Sequence, residues 1–264
     1  MADLLSLILA AILWASFLHQ LGALHQRPHS AAHKRNCLAL GLFSLTMTLL
    51  IPPLYLAVDR WTGVPNISRL LANCLGVASG WAISPIRERV LDRPRRHDLL
   101  GSTWLFLLTV AALAGLFAVA PVGASEPGNF AARYGSSPAV VAYRLVLMAY
   151  VGAVMGQLCY AGWRHRAPTR TLGQRWLRLR SQLQTVGWGC GAAYAVHEAI
   201  YPVARYFGVA LPAPVHTAIE HLLLSAFVLF LLGGGFISLG HFAVLYRAYR
   251  RLYPLWRDLY QRVP

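Results

Sequence analysis

Seven apolar runs, each close to the length a helix needs to cross a membrane, fill most of this chain: 4–24, 37–58, 67–86, 99–122, 139–163, 181–205 and 216–246. A helix rises about 1.5 Å per residue, so roughly 20 residues cover a hydrocarbon core of about 30 Å. Inside hydrocarbon every backbone N–H and C=O must be bonded within the protein, which leaves a helix or a closed barrel. These runs lack the two-residue alternation of barrel strands. The pattern predicts an all-α polytopic membrane protein: a seven-transmembrane-helix bundle over 1–246, followed by a short basic and aromatic cytoplasmic tail over 247–264.

The composition agrees with that reading. The 264 residues are 57% hydrophobic and 12% charged, with mean hydropathy +0.49, whereas a soluble domain carries about 25% charged residues. The net charge of +15 would suit nucleic acid if it were spread over one face, but it alternates by loop. Segments 25–36, 87–98, 164–180 and 247–264 hold three, five, six and five basic residues, 19 of the 24 Lys and Arg. The intervening loops 59–66, 123–138 and 206–215 hold only Arg60 and Arg133. Basic loops stay in the cytoplasm, so the N-terminus is expected outside and the C-terminus inside. The partners implied are the lipid bilayer and anionic lipid at its cytoplasmic face, with no nucleic acid. The leader MADLL lacks the basic region of a cleaved signal peptide. Cys37, Cys74, Cys159 and Cys190 all fall within runs and form no CxxC, so no disulfide framework is implied. Arginine outnumbers lysine 23 to 1 beside abundant alanine, the codon signature of a GC-rich bacterial genome. The expected location is the bacterial plasma membrane, multi-pass.

Several positions interrupt the apolar pattern. Pro52-Pro53 is expected to kink the second run, and Pro202 is either an ordinary proline near a helix end or a point where the sixth run bends or unwinds by freeing the carbonyl of Glu198. Gly187 and Gly191 form a GxxxG that admits a close neighbour helix. Gly233, Gly234 and Gly235 sit mid-run, where each weakens a helix by about 1 kcal/mol relative to alanine. They and Pro202 read either as packing positions or as hinges. In the tail, Tyr246, Tyr249, Tyr253, Trp256 and Tyr260 recur at spacings of three and four, one face of a helix. That face suits a membrane anchor, with a docking surface for a protein partner as the alternative.

Ionisable residues concentrate near one level. By rise per residue, Glu198 lies about 10 Å in from the outer end of its run, and Glu220 and His221 about 6–8 Å in. Arg69 and Asn73 lie one turn apart, and Arg144 lies five residues into its run. Unpaired charge facing lipid is costly, about 2.5–3.5 kcal/mol at the bilayer centre, so these groups are expected to meet one another. Three arrangements stay open. Glu198 and Glu220 pair with Arg69 and Arg144 as interhelical glue; or Arg69, Asn73, Arg144, His197, Glu198, Glu220 and His221 line an outward-facing ligand pocket; or His197, His216, Glu220 and His221 hold a metal. Adjacent residues on a helix point about 100° apart, which weakens the metal set. No Walker loop, GxSxG or HExxH is present, so no catalytic residue and no cofactor is named.

The stretches DRWTGVPNISRLLANCLGVASGWA (59–82), EPGNFAARYGSSPAVVAYRLVLMAYVGA (126–153) and YRRLYPLWRDLYQRVP (249–264) resemble an actinobacterial integral membrane family provisionally labelled as transporters. Asn129 stands where members usually carry an acidic residue. Longer members continue past the PLW stretch into a further cytoplasmic domain of unknown function, which this chain does not contain. The resemblance implies the topology and a bacterial origin, and the polar level points to a small-molecule transporter or binder with an outer-facing polar cavity. A sensory or scaffolding module acting through its tail is the alternative, and a metal-dependent membrane enzyme the third reading.

Overall fold

The computed structural model describes residues 2–26, 31–91, 101–127, 130–135, 137–164 and 172–209; beyond them it describes 215, 218–219, 221–223, 225–226, 228–229, 246–247, 249–250 and 252–254. Among these residues the chain is all-α, without a strand. The elements are α1 (Ala2–Gln26), α2 (Ala31–Leu49), α3 (Pro52–Thr62), α4 (Ile67–Leu91), α5 (Thr103–Val119), α6 (Phe130–Tyr134), α7 (Pro138–Arg164) and α8 (Leu172–Tyr206). The described residues between 215 and 229 are helical as well. Five of the apolar runs therefore fold as single helices at the expected places, and α4 and α8 extend past their runs into arginine-bearing turns. Pro138–Arg164 alone is long and apolar enough to cross a membrane by itself among the described residues; Leu7–Gly22 and Thr103–Val119 are shorter apolar stretches.

The second run departs from expectation. Pro52-Pro53 does not kink a continuing span: α2 ends at Leu49, and α3 starts afresh at Pro52, turned 84° from it. Two successive prolines remove two ladder donors at once and push the preceding residue out of the helical region. Ile51 is accordingly extended, at φ −68° and ψ 123°. The same prolines then suit the first turn of a new helix, where a missing N–H costs nothing. A left-handed Gly63, at φ 70°, ends α3. Pro202 does not break its helix. α8 runs through it to Tyr206 without an unwound turn, so of the two readings Pro202 is the ordinary proline near a helix end.

α7 is the central element. Its largest interface is with α8, and it also packs on α5 and α4, while α2 packs on α4 and α1. The core where α4, α5 and α7 meet is Val77, Leu113, Phe117, Tyr143, Leu147, Tyr150 and Val154. The α7–α8 seam is close because glycine faces side chains across it. A Cβ on Gly152 would lie 3.1 Å from that of Ala195, and one on Gly191 would lie 3.4 Å from Met155 Sδ. A Cβ on Gly162 would overlap Thr185 Oγ1, which donates to Ser181 O at 2.6 Å. Gly156, on the same helix, has open space beside it. Gly162→Ala should therefore lose about 1–3 kcal/mol by overpacking, while Gly156→Ala should gain up to about 1 kcal/mol of helix propensity. Melting of the two purified variants checks the contrast, and equal melting temperatures would contradict the seam.

Candidate functional site

The ionisable residues resolve into two separate constellations. The first joins α7 to α8. Arg144 Nη2 pairs directly with Glu198 Oε2, and their side chains are only 14% and 4% exposed. A charge so enclosed requires a partner, and each supplies it for the other. One residue earlier on α7, Tyr143 points to α4, where Asn73 Nδ2 donates to its hydroxyl at 2.7 Å. The 100° step between neighbours thus sends Arg144 and Tyr143 to different helices. The ring of His197 lies 6.0 Å from that of Tyr201, one turn along α8.

The second constellation ties together the α3–α4 turn, the 122–127 segment and α6. Its central residue is Asp59, near the C-terminal end of α3. Asp59 is 4% exposed. Its carboxylate accepts from Asn66 N at 2.6 Å, Ser68 N at 3.0 Å and Ser125 Oγ at 2.5 Å. Two of these donors belong to the start of α4, whose unpaired N–H groups and positive dipole end favour an anion. Asn66, wholly buried and left-handed at φ 62°, uses its whole amide. Its Oδ1 accepts from Tyr55 OH at 2.7 Å and Glu126 N at 2.8 Å, and its Nδ2 donates to Ala124 O at 2.6 Å. Ser68 Oγ donates to Tyr55 O at 2.8 Å. The Tyr134 hydroxyl both accepts from Ala124 N and donates to Ala124 O.

Arg69 belongs to this second group. It donates to Pro127 O at 2.7 Å, and its guanidinium lies 5.0 Å from the Phe130 ring and 5.8 Å from the Tyr55 ring. The Glu126 carboxylate pairs with Arg133 instead. Arg69 and Arg144 therefore face different partners. The signal for this knot lay in the GVPN and EPGNF stretches, which the fold brings against each other.

The remaining expected site residues divide as follows. His221 is exposed, and its carbonyl accepts from Ser225 Oγ at 2.9 Å. His216, Glu220, Gly233, Gly234, Gly235, Trp256 and Tyr260 lie outside the described residues. Among the described residues no group of three or more His, Cys, Asp or Glu side chains could hold a metal. Tyr249 and Tyr253 are exposed with rings 5.7 Å apart, as one helical face requires.

Open space lies elsewhere. A cavity of about 180 Å³ opens between α2, α4, α7 and α8, against Leu223 and Ala226. Leu40, Phe43, Gly76, Gly80, Val151 and Met155 form much of its wall, which is almost wholly apolar. Gly80, Gly187 and Gly191 line it; Gly187 and Gly191 are the GxxxG pair. Ser79 also lines it but spends its hydroxyl on Ala39 O at 2.8 Å.

The ion pair yields a direct test. Glu198→Leu or Arg144→Leu alone leaves one buried charge unpaired and should cost about 3–5 kcal/mol, whereas the double replacement should recover most of that loss. Melting of purified protein measures it, and additive losses would contradict mutual pairing. No protein-family model, curated protein or solved structure matches this chain.

Proposed function

We propose that this chain is a seven-span plasma-membrane protein, N-terminus outside, that binds a small apolar molecule between its helices. The cavity among α2, α4, α7 and α8 carries the binding part of the reading, since Arg144 and Glu198 are spent on each other, Asn73 on Tyr143 and Arg69 on the Pro127 carbonyl. Cavities that hold small molecules are concave and mostly apolar, with few polar groups, and this one answers that description.

The membrane part draws support from the surface. Leu7, Ile8 and Ile12 on α1, Leu107 and Leu108 on α5, and Val196 and Ile200 on α8 are all exposed, which hydrocarbon accepts and water does not. Trp61 and Phe207 are exposed at the helix ends expected outside, and Trp104 and Trp163 at the ends expected inside. Aromatic residues concentrate at those two interfaces. With α2 as the span proper, its 19 residues cover about 28 Å, and α3 then lies along the outer surface. A second reading, a module acting through its tail, draws on the exposed Tyr246, Tyr249 and Tyr253.

Two measurements test this. Reporter fusions at residues 64 and 170 should read outside and cytoplasm respectively; a periplasmic signal at 170 would overturn the orientation. In phosphatidylcholine nanodiscs, dodecanol should raise the melting temperature of the full chain. At about 100 times Kd the gain is about 2.7 kcal/mol, or roughly 5–10 °C for a chain of this size. Leu40→Trp, which fills the cavity, should abolish the rise. An equal rise in that variant would overturn the binding site.

A further inference from the structure

One polar side chain in the wall of the cavity is not spent within the fold. Asn66 and Asn73 commit their amides to Tyr55, Ala124 and Tyr143, and Ser79 commits its hydroxyl to Ala39 O. Among the described residues the Asn36 amide has no such bond. Asn36 lines the cavity from α2 together with Leu40 and Phe43, and spacings of four and three put the three on one face of that helix. The amide therefore shares the cavity with hydrocarbon, and it offers both an N–H donor and a carbonyl acceptor.

The rest of the lining restricts what can meet that amide. None of the described lining residues is acidic or basic, so an ion entering here would lose its hydration without gaining a counter-charge. The occupant is then neutral. Rings come from three helices: Phe43 on α2, Tyr150 on α7 and Trp188 on α8, and α7 adds the Met155 thioether. Ring–ring and sulfur–ring contacts are favourable beyond the area they bury. An apolar cavity of about 150 Å³ holds benzene, so about 180 Å³ takes one ring with short alkyl branches.

We propose that the cavity takes a neutral, single-ring aromatic molecule bearing one hydroxyl, which bonds the Asn36 amide. This rests on the binding reading above and adds to it a ligand class and the residue that selects it. A hydroxyl donates to the amide oxygen or accepts from the amide nitrogen; a pure hydrocarbon does neither.

Binding of radiolabelled thymol to the full chain in phosphatidylcholine nanodiscs tests the proposal, with empty nanodiscs subtracted and concentrations given per lipid. Binding should saturate. p-Cymene, the same skeleton without the hydroxyl, should compete about tenfold more weakly. Menthol, the saturated ring with the hydroxyl kept, should compete about fivefold more weakly. Asn36→Leu, close in volume, should bring thymol and p-cymene to equal affinity and leave the preference over menthol in place. The wild-type comparison stands even where that variant fails to fold. p-Cymene that competes as well as thymol overturns the assignment to Asn36, as does a preference for thymol over p-cymene that survives Asn36→Leu. Menthol equal to thymol overturns the aromatic class. Thymol bound to Leu40→Trp as tightly as to wild type places it elsewhere and overturns the proposal. If dodecanol still stabilises wild type while thymol does not bind saturably, this ligand class falls and the apolar site stands; if neither binds, both fall.

Discussion

The Asp59 carboxylate governs one whole end of this molecule. Where Pro52 and Pro53 stop the α2 ladder, the chain turns by 84° and must begin two helices in quick succession. The backbone donors at the start of the second of these helices, α4, need acceptors, because buried N–H groups without partners cost about 1–3 kcal/mol each. Asp59 supplies acceptors for two of them and reaches Ser125 as well. Asn66 then relays the connection to Tyr55, Ala124 and Glu126. Three segments, α3, the start of α4 and residues 124–126, are fixed to one another through these two side chains. Asn66 is held left-handed, a conformation that asparagine tolerates better than most residues.

The middle of the bundle depends on a different economy of polar groups. Arg144 and Glu198 cancel each other between α7 and α8, and Asn73 and Tyr143 satisfy each other between α4 and α7. With these spent, the walls beyond them are hydrocarbon. The glycines at Gly152 and Gly162 close the α7–α8 seam, and Gly80 lets α4 approach Tyr150 and Val154 of α7, whereas Gly76 on α4 leaves space. Small residues thus serve two opposite ends, contact at one interface and volume at another, according to what stands across from them.

The helices were legible because hydrophobic run length is a strong signal: α1, α5 and α7 begin and end near their predicted bounds, while α4 and α8 cover their runs and continue past them. The second run misled because prolines at a bend and prolines at a new helix start look alike until the residue before them is seen to be extended. Glu198 with Arg144 was among the pairings the charge pattern suggested. The grouping of Arg69 with Arg144 was not realised, since equal depth says nothing about which way a side chain points. Asp59 was undervalued for a related reason. A carboxylate at the end of an apolar run reads as a solvated terminus, and only the fold reveals that Asn66, Ser68 and Ser125 enclose it.

A density map of the full chain in phosphatidylcholine nanodiscs with dodecanol tests the central claim most directly, that the polar groups are closed on one another and the binding space is apolar. The account predicts density in the cavity between α2, α4, α7 and α8, against Leu40, Phe43 and Gly76, and Arg144 still on Glu198. Arg144 and Glu198 standing apart across a water-filled, outward-open cavity, with the apolar cavity closed, would contradict it.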